Sequence, residues 1–303
     1  MKGNRLFFPP SLDLKYTLIA MKRLAPHLSA FASLLGGTDA LNRLLVELYA
    51  RNPVTLVHTH GFDICLDPSD MGVSPSVGVL GWHEMKTTEL FIKLTGPGST
   101  VVDVGANIGF FTLLAAKLVG KKGVVLSFEP EPTSFSLLTE SVERNNFDNV
   151  RLNQKCISNV DGQQLLHLSV THNKGLHSIA RDLGGPSIQV PSARLDTIAS
   201  TLGIGSIDLL KIDVEGAEPE VLEGAGRLLS ESRVKNIIME WEHPESWACR
   251  NDILEMIFSR FDVYEFVRSL PFLPARKLAS YSTGLFESGV GTNLYFRQRP
   301  ETS

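Results

Sequence analysis

VVDVGANIGFF, residues 101–111, joins three signals. An apolar run ends on Asp103, glycines stand at Gly105 and Gly109 on either side of Asn107, and an apolar pattern of helical spacing follows from Phe110 to Val119. A strand that breaks on a glycine and resumes as a helix opens a strand–helix–strand unit. In an open α/β sheet, ligands lie beyond the carboxyl ends of the strands, where the topology reverses. Gly105 permits a sharp turn after the strand, and Gly109 permits the close approach of a ligand or a helix. The pattern DxGxNxG lacks the third glycine of the GxGxxG dinucleotide fingerprint.

The next strand adds a partner for that turn. VVLSFEPEP, residues 124–132, places Glu129 at a strand end, about twenty residues past the glycines. A carboxylate there accepts hydrogen bonds from both hydroxyls of a ribose, because it offers only acceptors. Farther out, Thr100–Val104, Val124–Phe128, Asp208–Ile212 and Asn236–Glu240 are short apolar runs. They alternate with helical patterns over Phe110–Val119, Ser134–Asn145 and Pro219–Leu229. Strands apolar on both faces that alternate with helices predict a parallel sheet covered on both sides.

The flanks read differently. Apolar residues recur at three and four over Leu12–Leu35 and Asp39–Tyr49, which predicts helices. Thr55–Leu66 alternates and reads as a hairpin turning near Gly61-Phe62, and Pro68–Gly81 reads as a loop. Asp161–Val190 breaks the alternation and reads as an insertion over the sheet. Phe261–Val267 and Thr292–Arg297 read as an antiparallel edge hairpin, with Leu270–Ser288 a long connecting loop. The organisation expected is a helical N-terminal extension over 1–52, a hairpin and lead-in helix over 53–98, and an α/β domain over 99–303 with its insertion at 161–190.

Composition narrows the class. The 303 residues are 43% hydrophobic and 20% charged with a net charge of -4, ordinary for a globular protein and without the basic excess of a nucleic-acid binder. Cys65, Cys156 and Cys249 stand far apart, which argues against a disulfide framework and for a reducing, cytoplasmic compartment. No apolar run reaches the ~18 residues of a membrane span. The amino terminus MKGNRLFFPPSLDLKY has too short an apolar core for a secretory signal.

The blocks VVDVGANIGFFTLLAA, SFEPEPTSFSLL, CISNVDG, RLDTIAS, LLKIDVEGAEPEVLEGA and IIMEWE, in that order, resemble the FkbM-type methyltransferases, from about Trp82 to the final strand. The resemblance implies a class I, Rossmann-like, doubly wound sheet, mostly parallel with an antiparallel C-terminal strand. It implies S-adenosyl-L-methionine as cofactor and a methyl acceptor hydroxyl on a sugar, glycan or secondary metabolite. Gly105, Asn107 and Gly109 would then line the methionine moiety, with Asp103 fixing the loop through its backbone amides. Glu129 would hold the ribose, Cys156, Ile157 and Ser158 would border adenine, and Glu84 in GWHEMKTTELF would supply an acidic residue ahead of the first strand. One departure is NKGLHSIARD, where His177 precedes Ser178 and has no assigned role.

A hydroxyl acceptor must lose its proton as the new bond forms, which asks for a base or a bound metal. Candidates at strand ends are Asp213, Glu215 and Glu218 in KIDVEGAE, then Glu240, Glu242 and His243 in MEWEH. Asp213 stands where the fold brings a residue close to the transferred methyl group. Glu218 is alternatively a helix cap. His243 suits a base because an unperturbed imidazole titrates near neutrality; a surface histidine before Pro244 is the plainer reading. The carboxylates also suit Mg²⁺ with water completing its shell, although no set of three ligands is singled out. His58 and His60 read as polar residues of the hairpin, and His167, His172 and His177 fall in the insertion.

Two other readings stand beside the methyltransferase. One is a nicotinamide-dependent oxidoreductase, against which the missing third glycine and KIDVEGAE argue. The other is a non-catalytic binding module of the same fold, against which the strand-end carboxylates argue. The acceptor, a small molecule or a glycan, is not written in any motif. The N-terminal helices serve as a lid or as a homo-oligomer contact.

Overall fold

The computed structural model describes residues 38–171, 173–241, 251–265, 276–278 and 292–300. The helix expected over 12–35, together with His172, Glu242, His243 and Cys249, lies outside them. In chain order the described elements begin with α1 (Thr38–Arg51), β1 (Leu56–Thr59), β2 (Phe62–Cys65), α2 (Val73–Leu80) and α3 (Met85–Leu94). The central part runs β3 (Thr100–Val104), α4 (Phe110–Val119), β4 (Val124–Phe128), α5 (Pro132–Arg144) and β5 (Val150–Asn153). Next come β6 (Cys156–Ile157), β7 (Gly162–His167), β8 (Ser187–Ala193), α6 (Leu195–Leu202), β9 (Leu209–Ile212), α7 (Glu218–Gly224) and α8 (Gly226–Ser230). The chain closes with β10 (Asn236–Trp241), α9 (Asn251–Arg260), β11 (Phe261–Glu265), β12 (Arg276–Leu278) and β13 (Thr292–Gln298).

Eight of these strands form one sheet in the order β12-β11-β13-β10-β9-β3-β4-β5. From β5 to β10 neighbours run parallel, and β13 lies antiparallel to both β10 and β11. The chain lays β3, β4 and β5 outward in one direction and then returns to place β9 on the other side of β3. That reversal puts the switch point between β3 and β9. All four residues of β9, LLKI, are buried, as expected for a strand covered on both faces and carrying no alternation.

Local chemistry explains the sharpest boundaries. Helix α5 starts where Glu131 accepts the Ser134 amide at 2.7 Å and Pro132 occupies the first turn, both favoured at a helix N-terminus. The β1–β2 hairpin is docked on the far end of α5 by Asn145. Its Oδ1 accepts the Asp63 amide at 2.8 Å, and its Nδ2 donates to the Asp63 carbonyl at 2.6 Å.

Three expectations are corrected. Pro68–Gly81 is not all loop, because α2 lies within it. The buried Asp70 carboxylate accepts the amides of Gly72, Val73 and Ser74 at 2.8–3.0 Å, and Pro75 is tolerated in a first turn whose amides have no helical partner. Gly78 lets that helix meet Tyr49, whose ring carbon would be 2.7 Å from a Cβ there. The pattern over 219–229 is two helices broken at Ala225. The two last strands do pair antiparallel, but not as an edge hairpin: β13 is inserted between β10 and β11, and β12 forms the edge. Within 161–190, β7 and β8 pair antiparallel, and β8 extends to β6 as a separate three-stranded sheet.

Candidate functional site

A cavity of about 400 Å³ opens at the carboxyl ends of β3, β4, β9 and β10, a size ordinary for a small-molecule site. Its floor is the turn after β3. The Gly105 and Ala106 amides both donate to the Phe128 carbonyl at 3.0 Å, and the Asp213 amide donates to the Val104 carbonyl at 3.0 Å. Gly105 has φ +80, and a Cβ there would lie 1.7 Å from the Asp213 carbonyl oxygen. Only glycine fits where these two strand ends cross.

Asn107 follows with φ +51. Its amide donates to Glu129 Oε2 at 2.8 Å, and its own Oδ1 accepts the Ile108 amide at 2.7 Å. Gly109, at φ +96, does not line the cavity. A Cβ there would meet Leu138 Cδ1 at 2.4 Å, so its bareness serves the contact between the turn and α5. Asp103 also lies behind the cavity. Its Oδ2 accepts from the Thr112 hydroxyl at 2.7 Å while its buried Oδ1 has no hydrogen-bond partner. The loop amides therefore go to Glu129 and to the Phe128 carbonyl, not to Asp103 as expected.

Glu129 connects turn and wall. It is buried, and its Oε1 accepts the Glu131 amide at 2.8 Å. Burial pushes its carboxyl up to about 7, against the pull of those two amides. A carboxylate has about four acceptor positions, so two remain for donors entering the cavity. Cys156 and Ile157 line the same side. Ser158 does not: it is fully buried, with its amide on the Ala193 carbonyl at 3.0 Å.

The opposite wall is charged. Lys211 sits mid-strand directly across from Asp103 and is 3% exposed. Its Nζ is 2.7 Å from Asp213 Oδ2 and 4.6 Å above the Phe111 ring. Burial alone would raise Asp213, but the Lys211 ammonium outweighs it and holds the carboxyl below the usual range. Burial likewise opposes the charge of Lys211, yet Asp213, Asp103 and Glu84 keep its pKa above the ordinary value. Asp213, Glu215 and Glu240 each bring a carboxylate oxygen within 4.8 Å of the others. Two of the three already hold cations, since Arg181 Nη2 lies 3.2 Å from Glu215 Oε2. Glu218 is not in the cavity; it accepts the Val214 and Gly216 amides at 3.2 Å and braces the turn that carries Glu215 at φ +56.

The segment 173–181 forms the roof. Ser178 Oγ and Arg181 Nε both donate to the Glu215 carbonyl, at 2.7 and 2.9 Å. His177 faces the cavity with its Nδ1 accepting the Ser169 amide at 3.0 Å. Of the hairpin histidines, His58 is an exposed partner of Asp63 at 2.6 Å, and His60 packs 4.4 Å from Trp82. Glu84 lines the cavity at φ +41, accepting from Asn293 Nδ2 at 3.2 Å. Two titratable lining residues had escaped the sequence reading, Lys211 and His83. His83 stands beside Glu84 in GWHEMKTTELF, and that adjacency was its only sequence signal.

A glycine turn at the switch point of a 3-2-1-4-5 sheet, with an acidic residue ending the second strand and an antiparallel strand beyond the fifth, defines a class I, Rossmann-like methyltransferase fold. More narrowly, the chain belongs to the FkbM methyltransferase domain family, whose model matches residues 103–268. Methyltransferase 1 of Beauveria bassiana is 30% identical over 147 residues, 42% of this chain and 58% of its own. The 31-O-demethyl-FK506 methyltransferase FkbM of Streptomyces tacrolimicus is 32% identical over 157 residues, 42% of this chain and 60% of its own. The hexuronic acid methyltransferase AglP of Haloferax volcanii is 28% identical over 141 residues, 46% of this chain and 56% of its own. The match thus spans less than two thirds of each of these relatives. Among the described residues, no helix is long and apolar enough to cross a membrane.

Proposed function

We propose that this protein transfers a methyl group from S-adenosylmethionine to a hydroxyl oxygen of a small molecule or glycan. The observation that carries the reading is Glu129. It is buried on the cavity wall, one oxygen holding the glycine turn through Asn107 and two acceptor positions left for a ribose. The residues present fit the cofactor: Gly105 keeps the floor bare of a side chain, and Cys156 and Ile157 offer an apolar wall beside Glu129. Five carboxylates, Glu84, Glu129, Asp213, Glu215 and Glu240, line the cavity against one lysine, and an acidic cleft attracts a cationic ligand. When bound, the cofactor supplies an activated methyl group on sulfur.

The chain itself supplies alignment, worth ~7–11 kcal/mol when reacting groups are well placed. Asp213, held ionised by Lys211, contributes negative charge rather than proton uptake. Asp213 and Glu215 are already paired to cations, which leaves the carboxylate cluster little free charge for a divalent ion. The Streptomyces relative is a 31-O-demethyl-FK506 methyltransferase and the Haloferax relative a hexuronic acid methyltransferase, which supports a hydroxylated acceptor. The free thiols of Cys65 and Cys156 suit a cytoplasmic location.

Calorimetric titration of S-adenosylhomocysteine and of NAD into the wild type and Glu129→Ala tests the reading. Binding of the first ligand alone, weakened about 100-fold or more by the substitution, is the expected result; two charge-assisted hydrogen bonds are worth ~3 kcal/mol or more together. Preference for NAD would return the protein to the oxidoreductases.

A further inference from the structure

His83 lies just ahead of α3 and lines the cavity within reach of the charges of Asp213 and Lys211, whose strand β9 flanks β3 on the side opposite the Glu129 strand β4. If the nucleoside end lies at Glu129, the reacting end lies on the His83 side. Two neighbours define the state of its ring. Ser76 Oγ donates its proton to the Val73 carbonyl at 2.9 Å, so toward His83 it presents a lone pair. Nδ1, 3.2 Å from that oxygen, is then the nitrogen that carries hydrogen. Nε2 is left bare. Glu84 Oε1, at 4.0 Å, is too far to hydrogen-bond it.

We propose that His83, through Nε2, is the base that takes the acceptor's hydroxyl proton, a step that rests on the methyltransferase reading above. The acceptor oxygen forms its bond to the methyl carbon as the carbon–sulfur bond breaks. That bond's electron pair goes to sulfur, and the hydroxyl proton goes to Nε2 and then to solvent.

The other groups of this wall are less suited. Asp213 shares its charge with Lys211, Glu240 is hydrogen-bonded to Asp213, Glu215 is engaged by Arg181, and Glu84 accepts from Asn293. The ring is also kept neutral and ready to accept. Burial lowers the His83 pKa below the ordinary value, and the Lys211 charge adds to this; Glu84, Asp213 and Asp70 act in the other direction and do not overcome it. Phe110 and Phe111, with centroids 5.9 and 6.0 Å from the imidazole, restrict its tilt. Ser76 is by the same geometry a positioning residue that selects the tautomer.

The test uses the full chain labelled with ¹⁵N-histidine and saturated with S-adenosylhomocysteine, with His83 assigned by comparison with His83→Gln. Long-range ¹H–¹⁵N correlation is expected to show a neutral ring protonated at Nδ1 from pH 6.5 to 8. A ring protonated at Nε2, or an imidazolium at pH 7.5, overturns the proposal. Transfer to a panel of methyl hexopyranosides and hexuronosides supplies the second arm. His83→Gln is expected to lower kcat by ~10²–10⁴ and to remove the acid limb of its pH profile. Ser76→Ala is expected to lower kcat less and to raise the Nε2-protonated fraction. An acid limb retained in His83→Gln and abolished in His243→Gln overturns the assignment. Failure of the wild type to bind S-adenosylhomocysteine sinks the methyltransferase reading instead. If no glycoside of the panel is methylated, the tautomer measurement decides.

Discussion

The carbonyl oxygen of Asp213 lies 1.7 Å from where the Cβ of a residue other than glycine would stand at position 105. The ends of β3 and β9 are therefore in backbone contact at the floor of the cavity, and the turn that receives the ligand is shaped by the strand across from it. Gly105→Ala must displace backbone and hold φ +80 with a side chain. The expected cost is ~2–4 kcal/mol of stability, with S-adenosylhomocysteine binding lost. Gly109→Ala must likewise hold φ +96, but it meets the end of the flexible Leu138 side chain at 2.4 Å and no backbone. It should cost less and retain binding. Denaturant titration and calorimetry on the two variants read both effects, and equal losses would count against a floor formed by Gly105 alone.

Glu129 predicts a pH signature. Its carboxyl is raised from 4.5 to about 7 in the folded protein, so between those values the folded state binds more protons than the unfolded one. The slope of stability with pH is then negative, and this one group costs ~3 kcal/mol by pH 8 relative to pH 4. Glu129→Gln has no such titration. Whatever its stability at pH 5, the difference from wild type should shift in the variant's favour as pH rises to 8. Glu218, also raised to about 7, is common to both proteins and cancels in the difference. A difference independent of pH would show that Glu129 does not titrate in this range.

The same titration governs the ligand. Ribose hydroxyls donate to the ionised carboxylate, so affinity for S-adenosylhomocysteine should rise with pH through about 7 and then level. Binding at pH 6 should release protons, seen as a dependence of the calorimetric enthalpy on buffer ionisation.

Lys211 and Asp213 form a pair in which the lysine side chain is 4% exposed. Lys211→Met leaves Asp213, and Asp103 across the ladder, without their cation. The expected loss is ~3–5 kcal/mol, with much of it regained in Lys211→Met/Asp213→Asn, because removing both members of a buried pair costs less than removing one. Urea midpoints of the three proteins check this, and an additive double variant would rule the coupling out.

Arg181 ties the roof to the turn after β9 through the Glu215 carbonyl and carboxylate. Arg181→Met should raise amide hydrogen exchange in 173–181 while leaving the β3–β4 core unchanged.

Much of the central sheet was legible because its information is local. An apolar run ending on Asp103 with Gly105 after it, or one ending on Glu129, needs nothing from elsewhere in the chain to be read as a strand end carrying a ligand group. The covered strands lack alternation for reasons confined to a few residues, and the apolar pattern read from Ser134 lies within α5, which Glu131 and Pro132 start two residues earlier. Where signals of this kind were weak, the reading failed. Pro75 and Gly78 look like loop residues, and it is the Asp70 carboxylate and the Tyr49 ring that make α2 a helix.

The sequence by itself therefore determined the alternation of β3, β4, β9 and β10 with helices, the glycine turn and the acidic end of β4. Tertiary structure alone decided that β13 slips between β10 and β11, that Gly105 is bare because Asp213 crosses it, and that Lys211 pairs with Asp213 on a wall of carboxylates. It also brought Ser76 beside His83 and so chose which imidazole nitrogen is left bare. Periodicity and capping act over one or two turns of chain, whereas charge pairing, close backbone crossing and tautomer choice depend on groups that only folding makes neighbours.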